Sequence, residues 1–287
     1  MCVPTAQANG IEICFETAGS PSHPTLLLIM GLGAQLVAWP DEFCAMLASR
    51  GFFVVRFDNR DVGLSTKFDQ YPADMTNPAY SLDDMADDAA GLLDALAREQ
   101  AHVVGASMGG MIAQLVALRH PARVLSLTSI MSHVGGADAV PPTPEAMEVL
   151  MAPRPRNREE AIELAVRARS VIGGKGFPVD EAKVREQAAI AFDRCYHPAG
   201  FLRQIAAIMA ADSRAAGLSG LRLPVTVIHG LDDPLVPPEN GRRTASAIPG
   251  AELVEIEGMG HDLPEGAWPR IVDAISAAAA RAEARAR

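Results

Sequence analysis

The segment Gly105-Ala106-Ser107-Met108-Gly109 places a serine between glycines at the junction of two apolar stretches. The stretch before it, His102–Gly105, is typical of a buried strand, and the stretch after it, Met108–Leu118, is typical of a buried helix. A strand, a sharp turn and a helix are the context that a G-x-S-x-G nucleophile requires. Glycines let the chain turn tightly, so the serine oxygen would stand exposed at the edge of a sheet. We therefore predict that Ser107 is a nucleophile, against the alternative of a plain strand–turn–helix joint.

A carboxylate and a histidine follow the ends of two later apolar stretches. Val225–Gly230 ends in glycine, and Asp232 and Asp233 come directly after it. A carboxylate there can accept the N–H of an imidazole and hold it in one tautomer, although an Asp-Pro turn alone would also explain the pattern. His261 lies in the glycine-containing loop Glu257–Asp262 after the last predicted strand, where an imidazole can reach a site and shuttle a proton.

The order of these groups along the chain strengthens the prediction. Serine, then acid, then histidine, each just past the end of a strand, is the order found in α/β-hydrolases. Among the other histidines, His133 follows the sixth strand and is placed to line a pocket, but it comes too early in the chain for the usual order. Glycines near Met30–Gly33 would let backbone N–H groups approach an oxyanion, and the N–H of Met108 is a second candidate donor.

Alternating strands and helices should position these groups. Apolar runs predict buried parallel strands, and one alternating run predicts an early antiparallel strand: Ile11–Thr17, Leu26–Met30, Phe53–Phe57, Val103–Gly105, Val124–Ile130, Val225–His229 and Leu253–Ile256. Helical patterns lie between and after them: Pro40–Arg50, Leu82–Arg98, Met108–Leu118, Glu239–Ala247 and Trp268–Ala284. The alanine- and arginine-rich tail, 277–287, is predicted to be a fraying helix end. This alternation predicts a mostly parallel sheet covered on both faces.

The alternation stops between about residues 134 and 221. Four helical patterns and no strand occur there: Glu145–Met151, Glu159–Val171, Glu181–Arg194 and Ala199–Ala211. We predict a core formed by residues 1–133 and 222–287, with residues 134–221 inserted as a helical cap. Such a cap would cover the carboxyl edge of the sheet, where open α/β sheets bind ligands.

Composition limits the classes of partner. The chain has 287 residues and a formal net charge of −10, which makes a nucleic-acid partner a poor match. The apolar runs are too short for a membrane span, and the first residues lack the pattern of a secretory signal. Four cysteines, Cys2, Cys14, Cys44 and Cys195, form no C-x-x-C pair and no metal-like cluster. We therefore expect reduced thiols and a cytoplasmic protein, with a homo-oligomer left open.

Several of these segments resemble a known family. Leu26–Gly33, Trp39–Phe43, Arg56–Ser65 and Gly105–Gly110 look like the α/β-hydrolase family of bacterial carboxylesterases. Trp39–Phe43 in particular resembles the branch that contains the aclacinomycin methylesterase. The resemblance covers most of the chain outside the helical insertion. It implies an α/β-hydrolase fold with a mostly parallel eight-stranded sheet, helices on both faces and a helical cap.

The resemblance also implies roles for matching residues. Ser107 would be the nucleophile, His261 the general base and Asp233 its partner, chosen over Asp232 by the family spacing Gly-x-x-Asp from Gly230. The backbone N–H groups of Leu32 and Met108 would form the oxyanion hole. Many relatives have His-Gly where this chain has Met30-Gly31, which changes local polarity but not a backbone donor. No metal or cofactor is implied.

The predicted function is hydrolysis of a small-molecule carboxylic ester through an acyl-enzyme intermediate. Serine at position 107 argues against haloalkane dehalogenases and epoxide hydrolases, whose chemistry needs an aspartate nucleophile. The elbow also looks like that of enol-lactonases and cofactor-free perhydrolases, so both activities stay open as alternatives. A ligand receptor that kept the fold without turnover is the remaining alternative.

Overall fold

The computed structural model describes residues 3–286, which form one eight-stranded sheet with helices on both faces. The strands lie in the order β1-β2-β4-β3-β5-β6-β7-β8. Their bounds are β1 (Thr5–Ala8), β2 (Ile11–Ala18), β3 (Thr25–Ile29), β4 (Phe53–Phe57), β5 (Ala101–Ala106), β6 (Val124–Ile130), β7 (Val225–Gly230) and β8 (Glu252–Ile256). β1 and β2 pair antiparallel, and β2 pairs antiparallel with β4. From β4 to β8 all pairs are parallel.

Ten α-helices occur in the described residues. Their bounds are α1 (Asp41–Ser49), α2 (Leu82–Ala95), α3 (Met108–Arg119), α4 (Pro144–Leu150), α5 (Arg158–Ile172), α6 (Glu181–Arg194), α7 (Pro198–Ala210), α8 (Ala215–Leu218), α9 (Pro238–Ala247) and α10 (Trp268–Ala286). The parallel sheet with helices between the strands confirms the predicted fold class.

Two apolar cores lie on opposite faces of the sheet. Every residue of β3, β4, β5 and β7 is buried, as expected for strands covered on both faces. Because successive strand side chains point to opposite faces, Leu27 packs with α2 and α3, whereas Leu28 packs with α1 and α10. This arrangement leaves the carboxyl ends of the central strands as the edge on which polar loops meet.

The helical stretch predicted between β6 and β7 is present. α4 to α7 match the four predicted helices within about two residues, and the short helix α8 follows them. No strand occurs between residues 131 and 224. The capping residues Asn157 and Asp180 begin α5 and α6 by accepting backbone N–H groups.

The tail predicted to be a fraying helix end is helical as far as residue 286. α10 runs to Ala286, and Ala278 and Ala279 are buried against the sheet. Arg281 anchors this last part of the helix because its Nη2 donates to Thr226 Oγ1 at 2.8 Å. Ala278 and Ala279 thus pack as small side chains at the start of this segment, whereas residues 280–285 are half-buried or exposed.

The cysteine side chains of residues 3–286 form no disulfide. Cys14, Cys44 and Cys195 are unpaired, and Cys2 lies outside the described residues. In this part of the chain no helix combines the length and the apolar character that a bilayer crossing requires.

Candidate active site

Ser107 stands at a sharp turn between β5 and α3. Its backbone has φ 56° and ψ −123°, a conformation that costs about 1–3 kcal/mol for a residue with a side chain. A side chain on Gly105 would overlap the carbonyl of Gly109, and one on Gly109 would overlap the carbonyl of Ile29. The N–H of Ser107 donates to the carbonyl of Ile130 on β6 at 2.9 Å. Close contacts with the backbone of neighbouring segments on both sides of Ser107 therefore fix the turn.

A hydrogen-bonded chain joins the three side chains that the sequence singles out. His261 Nε2 lies 3.0 Å from Ser107 Oγ. On the other side of the ring, His261 Nδ1 lies 2.8 Å from Asp233 Oδ2. Because the carboxylate can only accept, the proton of the neutral imidazole lies on Nδ1, and Nε2 faces the serine hydroxyl as an acceptor. This is the geometry a general base needs.

Asp233, rather than its neighbour Asp232, meets the histidine. Asp233 is 3% exposed and Asp232 is exposed. Oδ1 of Asp233 accepts the N–H groups of Leu235 at 2.9 Å and Val236 at 2.8 Å. The loop after β7 thus aims Oδ2 at the imidazole.

Two backbone N–H groups near this turn have no hydrogen-bond partner. Among residues 3–286, neither the N–H of Leu32 nor that of Met108 donates to an acceptor. Met108 is the first residue of α3, where the helix dipole favours negative charge. A side chain on Gly31 would come within 3.0 Å of Ser107 Cβ, so glycine lets this loop approach the nucleophile.

Two polar side chains that were not singled out from the sequence hold that loop. Asn59 Nδ2 donates to the carbonyl of Met30 at 2.9 Å. Gln204, on α7, accepts the N–H of Gly33 at 2.8 Å and donates to the carbonyl of Arg60 at 2.9 Å. Both side chains are buried. Their roles depend on contacts between distant parts of the chain, for which no local sequence pattern exists.

The loop that carries His261 packs against the end of α5. The N–H of His261 donates to the carbonyl of Ile172 at 2.7 Å. Asp262 Oδ1 accepts the N–H groups of Gly174 at 3.1 Å and Gly260 at 3.0 Å. The insertion therefore contacts the histidine loop directly through backbone groups.

An ion pair reinforces this contact. Asp262 Oδ2 lies 2.6 Å from Arg169 Nη2, although the pair forms no well-directed hydrogen bond. Burial raises the pKa of Asp262, and the nearby Arg169 guanidinium opposes that rise only in part. The cation on α5 thus favours the charged form of Asp262.

Ser107 and His261 open into a cavity of about 630 Å³ between the sheet edge and the insertion. Apart from Ser107, His133 and His261, every lining side chain is apolar. Eight of the 12 methionines in the chain line it: Met30, Met75, Met108, Met111, Met131, Met147, Met151 and Met209. Methionine is flexible and makes favourable contacts with aromatic rings, so this cavity suits a bulky apolar group.

Comparison with known proteins identifies the family. The family model described as alpha/beta hydrolase fold matches residues 24–171. The chain belongs to the α/β-hydrolase fold family. It is 35% identical to rhodomycin D methylesterase DauP of Streptomyces sp. (strain C5), over 96% of this chain and 98% of that one. Rhodomycin D methylesterase DnrP of Streptomyces peucetius is 34% identical over the same shares.

Solved structures agree with this assignment. The enol-lactonase from Burkholderia xenovorans LB400 superposes with a TM-score of 0.71 at 25% identity, over 98% of this chain and 100% of that one. The named methylesterases and the family together make this α/β-hydrolase an ester-cleaving enzyme, as predicted from the sequence.

Among the described residues, His133 is the one polar side chain that lines the hydrolase cavity outside the Asp233–His261–Ser107 chain. Its Nδ1 accepts the N–H of Gly135 at 3.0 Å. Burial, with the nearby cation of Arg214, lowers the pKa of His133 to about 4. The ring is therefore neutral near pH 7. The expectation that His133 lines a pocket is confirmed.

Two other buried histidines of the hydrolase lie outside the cavity. His102 Nδ1 is 2.8 Å from Ser126 Oγ, and burial lowers its pKa to about 4. His229 Nε2 donates to the carbonyl of Val236 at 2.7 Å, and burial also lowers its pKa. Both stay neutral and hold neighbouring strands and loops. Within residues 3–286, no group of three or more His, Cys, Asp or Glu side chains is arranged to hold a metal ion.

Proposed function

We propose that this hydrolase cleaves methyl esters of bulky, apolar carboxylic acids through an acyl-enzyme on Ser107. The observation that carries the proposal is the chain Asp233–His261–Ser107, which ends in a cavity of about 630 Å³ lined almost wholly by apolar side chains. The names of the two methylesterase relatives support methanol as the leaving group. A small leaving group needs little space, so the cavity would hold the acid portion of the ester.

In the first step, Ser107 Oγ attacks the ester carbonyl while His261 Nε2 takes its proton. The N–H groups of Leu32 and Met108 stabilise the oxyanion that forms, and Asp233 stabilises the imidazolium. His261 then returns the proton to the departing oxygen, so the alcohol leaves and the acyl group stays on Ser107. Such preorganised donors lower the barrier by several kcal/mol, roughly 2.7–4 for one oxyanion-hole contact.

In the second step, water replaces the alcohol. His261 Nε2 takes a proton from a water molecule, whose oxygen attacks the acyl carbonyl in the same oxyanion hole. The tetrahedral intermediate expels Ser107 Oγ, which recovers its proton from His261. The products are the free carboxylic acid and the unchanged enzyme.

We further infer that residues 134–221 act as a cap on a core formed by residues 1–133 and 222–287. Lining residues from α4, α5 and α7 support this division, because they face core residues across the cavity. A cap of this kind would exclude water from the acid portion of the substrate. The unpaired state of Cys14, Cys44 and Cys195 supports a reducing, cytoplasmic location.

Lactone hydrolysis is the second candidate, because the enol-lactonase from Burkholderia xenovorans LB400 aligns with 98% of this chain. The same serine would open a ring, and the leaving alcohol would remain attached to the acid. Dihydrocoumarin is a simple probe: a kcat/KM for it above that for every methyl ester would favour this candidate.

Two isomeric esters test the proposed function. Methyl 2-naphthylacetate has its rings on the acid side, whereas 2-naphthylmethyl acetate has them on the alcohol side. We expect the methyl ester to have a kcat/KM at least about tenfold higher, after correction for alkaline hydrolysis rates, because burial of the rings is worth more than 1.4 kcal/mol. Ser107→Ala should lower kcat by about 10⁵–10⁶.

The control for the serine is Ser22→Ala, which changes an exposed serine in the loop between β2 and β3. It should leave the rate for both esters unchanged. Turnover that persists in Ser107→Ala would contradict the serine mechanism. A faster reaction of the alcohol-side isomer would contradict the assignment of the cavity to the acid.

A further inference from the structure

The cavity has one polar side chain that the proposed mechanism does not use. Ser107 and His261 take part in the reaction, and every other lining side chain except His133 is apolar. An unused polar group in an apolar cavity costs free energy unless it finds a hydrogen-bond partner. His133 Nε2 bonds to no residue in the described part of the chain.

The ring of His133 is held in one protonation state and one tautomer. Because Nδ1 accepts the N–H of Gly135 at 3.0 Å, the proton of the neutral ring lies on Nε2. The low pKa, about 4, keeps the ring neutral throughout the neutral range. Nε2 is therefore a hydrogen-bond donor without a charge.

The backbone around His133 is also fixed. Arg214 Nη2 donates to the carbonyl of His133 at 2.9 Å, and Arg214 Nε donates to Gln114 Oε1 at 3.0 Å. Gly135 has φ +86°, and a side chain there would lie 2.9 Å from Arg214 Nη1. A donor held in this way loses little conformational entropy when it binds a ligand.

His133 stands close to the reacting serine along the sheet edge. It comes three residues after Ile130, whose carbonyl accepts the N–H of Ser107. β6 lies between β5, which leads to Ser107, and β7, which leads to Asp233. A group bound to His133 would thus belong to the part of the substrate near the ester.

We propose that His133 Nε2–H binds an acceptor oxygen, such as a ketone or hydroxyl, on the acid portion of an aromatic ester. The methionine-rich wall would contact the rings, since sulfur–aromatic contacts are favourable, and His133 would orient them. This inference rests on the proposed function and names a residue that would set its specificity. His133 is a specificity-determining residue and takes no part in proton transfer.

A matched pair of esters tests this role. Methyl 9-oxofluorene-2-carboxylate and methyl fluorene-2-carboxylate have the same rings and differ in one ketone; the 1- and 4-carboxylates place the ketone at other distances from the ester. We expect the wild type to have a kcat/KM about tenfold higher for the oxo ester of at least one isomer pair, which corresponds to one hydrogen bond. His133→Leu should reduce that ratio to about one.

Two variants control the experiment. His133→Gln keeps a donor and should retain part of the preference, and His23→Leu makes the same chemical change at an exposed site and should retain all of it. No preference by the wild type for any oxo ester would overturn the proposal even if His133→Leu fails to fold. An unchanged ratio in a folded His133→Leu would also overturn it.

Failure of the proposed function would give a different result. In that case the wild type would cleave neither member of any pair, or Ser107→Ala would cleave both as well as the wild type does. If the wild type cleaves neither ester, calorimetry would measure its affinities for the oxo and deoxy esters, and their ratio would replace the ratio of kcat/KM values; if Ser107→Ala cleaves both, the ratio of kcat/KM values still tests His133. Equal affinities in every pair would overturn the role of His133.

Discussion

At the scale of single residues, the carboxylate of Asp233 uses both of its oxygens. Oδ1 accepts two backbone N–H groups from its own loop, and Oδ2 faces His261 Nδ1 at 2.8 Å. The loop therefore orients the carboxylate, and the carboxylate selects the tautomer of the histidine. An acceptor at Nε2 is what Ser107 needs to lose its proton.

Asp233→Asn tests the choice of tautomer. The amide oxygen can replace Oδ1, so the amide nitrogen would face His261 and favour the tautomer with the proton on Nε2. We expect kcat for p-nitrophenyl butyrate to fall about 10⁴-fold with little change in the melting temperature. Asp232→Asn, at the exposed neighbouring position, should keep full activity. Equal losses in the two variants would contradict the role of Asp233.

The pair formed by Arg169 and Asp262 predicts how the free energy of unfolding depends on pH. Arg169→Met removes the cation next to a carboxylate whose pKa burial already raises, so that pKa rises further. Between the pKa of Asp262 in the unfolded chain and its raised pKa in the folded variant, the folded state holds a proton that the unfolded chain has released. The free energy of unfolding therefore falls as pH rises through this range. We expect a deficit of about 3 kcal/mol against wild type near pH 7 that shrinks toward acid pH.

Urea unfolding from pH 4 to 8 measures this deficit. Arg167→Met is the control, because Arg167 pairs with Glu148 while both side chains are more than half exposed. That variant should unfold at the same urea concentration as wild type at every pH in this range. A deficit in Arg169→Met that is constant or grows toward acid pH would contradict the proposed ion pair.

At the scale of elements, the sequence predicts every strand except β1. The seven predicted strands all occur: the fully buried strands β3, β4, β5 and β7 have mostly apolar runs, β2 alternates, and the edge strand β8 also has a short apolar run. The sequence does not indicate β1, because its four residues are mostly exposed or half-buried at the sheet edge and have no apolar pattern. α8 has four residues, too few for helical periodicity.

Some residues of the candidate site could be predicted from the sequence and others could not. Ser107, Asp233 and His261 were predictable because each follows a recognisable strand and the carboxyl ends of neighbouring strands meet. Gln204 and Arg169 were not, because they act across the boundary between the insertion and the core. Such contacts depend on how separate helices pack. The catalytic roles themselves stay predictions.

Gln204 tests the contribution of α7 to the oxyanion loop. Gln204→Met keeps the size of the side chain but removes the acceptor for the N–H of Gly33, next to Leu32. We expect kcat to fall about tenfold with little change in KM, because the interaction matters most when the oxyanion forms. Affinity for a phosphonate transition-state analogue should fall by the same factor.

The control for this variant is Gln187→Met, an exposed position on α6. It should change neither kcat nor the affinity for the phosphonate. A rise in KM with constant kcat in Gln204→Met would mean that Gln204 acts on substrate binding instead of on the oxyanion loop.

At the scale of the whole molecule, buried ion pairs fasten the insertion to the core. Arg203 on α7 makes two hydrogen bonds to Asp61, at 2.7 and 2.9 Å, and both side chains are at most 2% exposed. Arg194 at the end of α6 lies 2.7 Å from the buried Asp58. These contacts lie on the side of the insertion formed by α6 and α7, so we expect that side to stay fixed on the core.

Arg203→Met tests this attachment. The substitution leaves the buried Asp61 carboxylate with hydrogen bonds from the Tyr80 hydroxyl and the Phe68 N–H but without the guanidinium of Arg203. Removing one partner of a buried pair costs about 3–5 kcal/mol, so we expect a loss of that size in the free energy of unfolding by urea. Arg156→Met, at an exposed pair with Glu160, should leave the unfolding midpoint unchanged. Equal midpoints for both variants would contradict the attachment.

We expect Ser107 to carry the acyl group during turnover. The most direct measurement is acid quenching of the enzyme during turnover of a p-nitrophenyl ester, followed by mass spectrometry of its peptides. We expect the peptide containing Ser107 to gain the mass of the acyl group, and no such gain in Ser107→Ala or in wild type without ester. An acyl group on another residue, together with turnover that survives in Ser107→Ala, would contradict the mechanism.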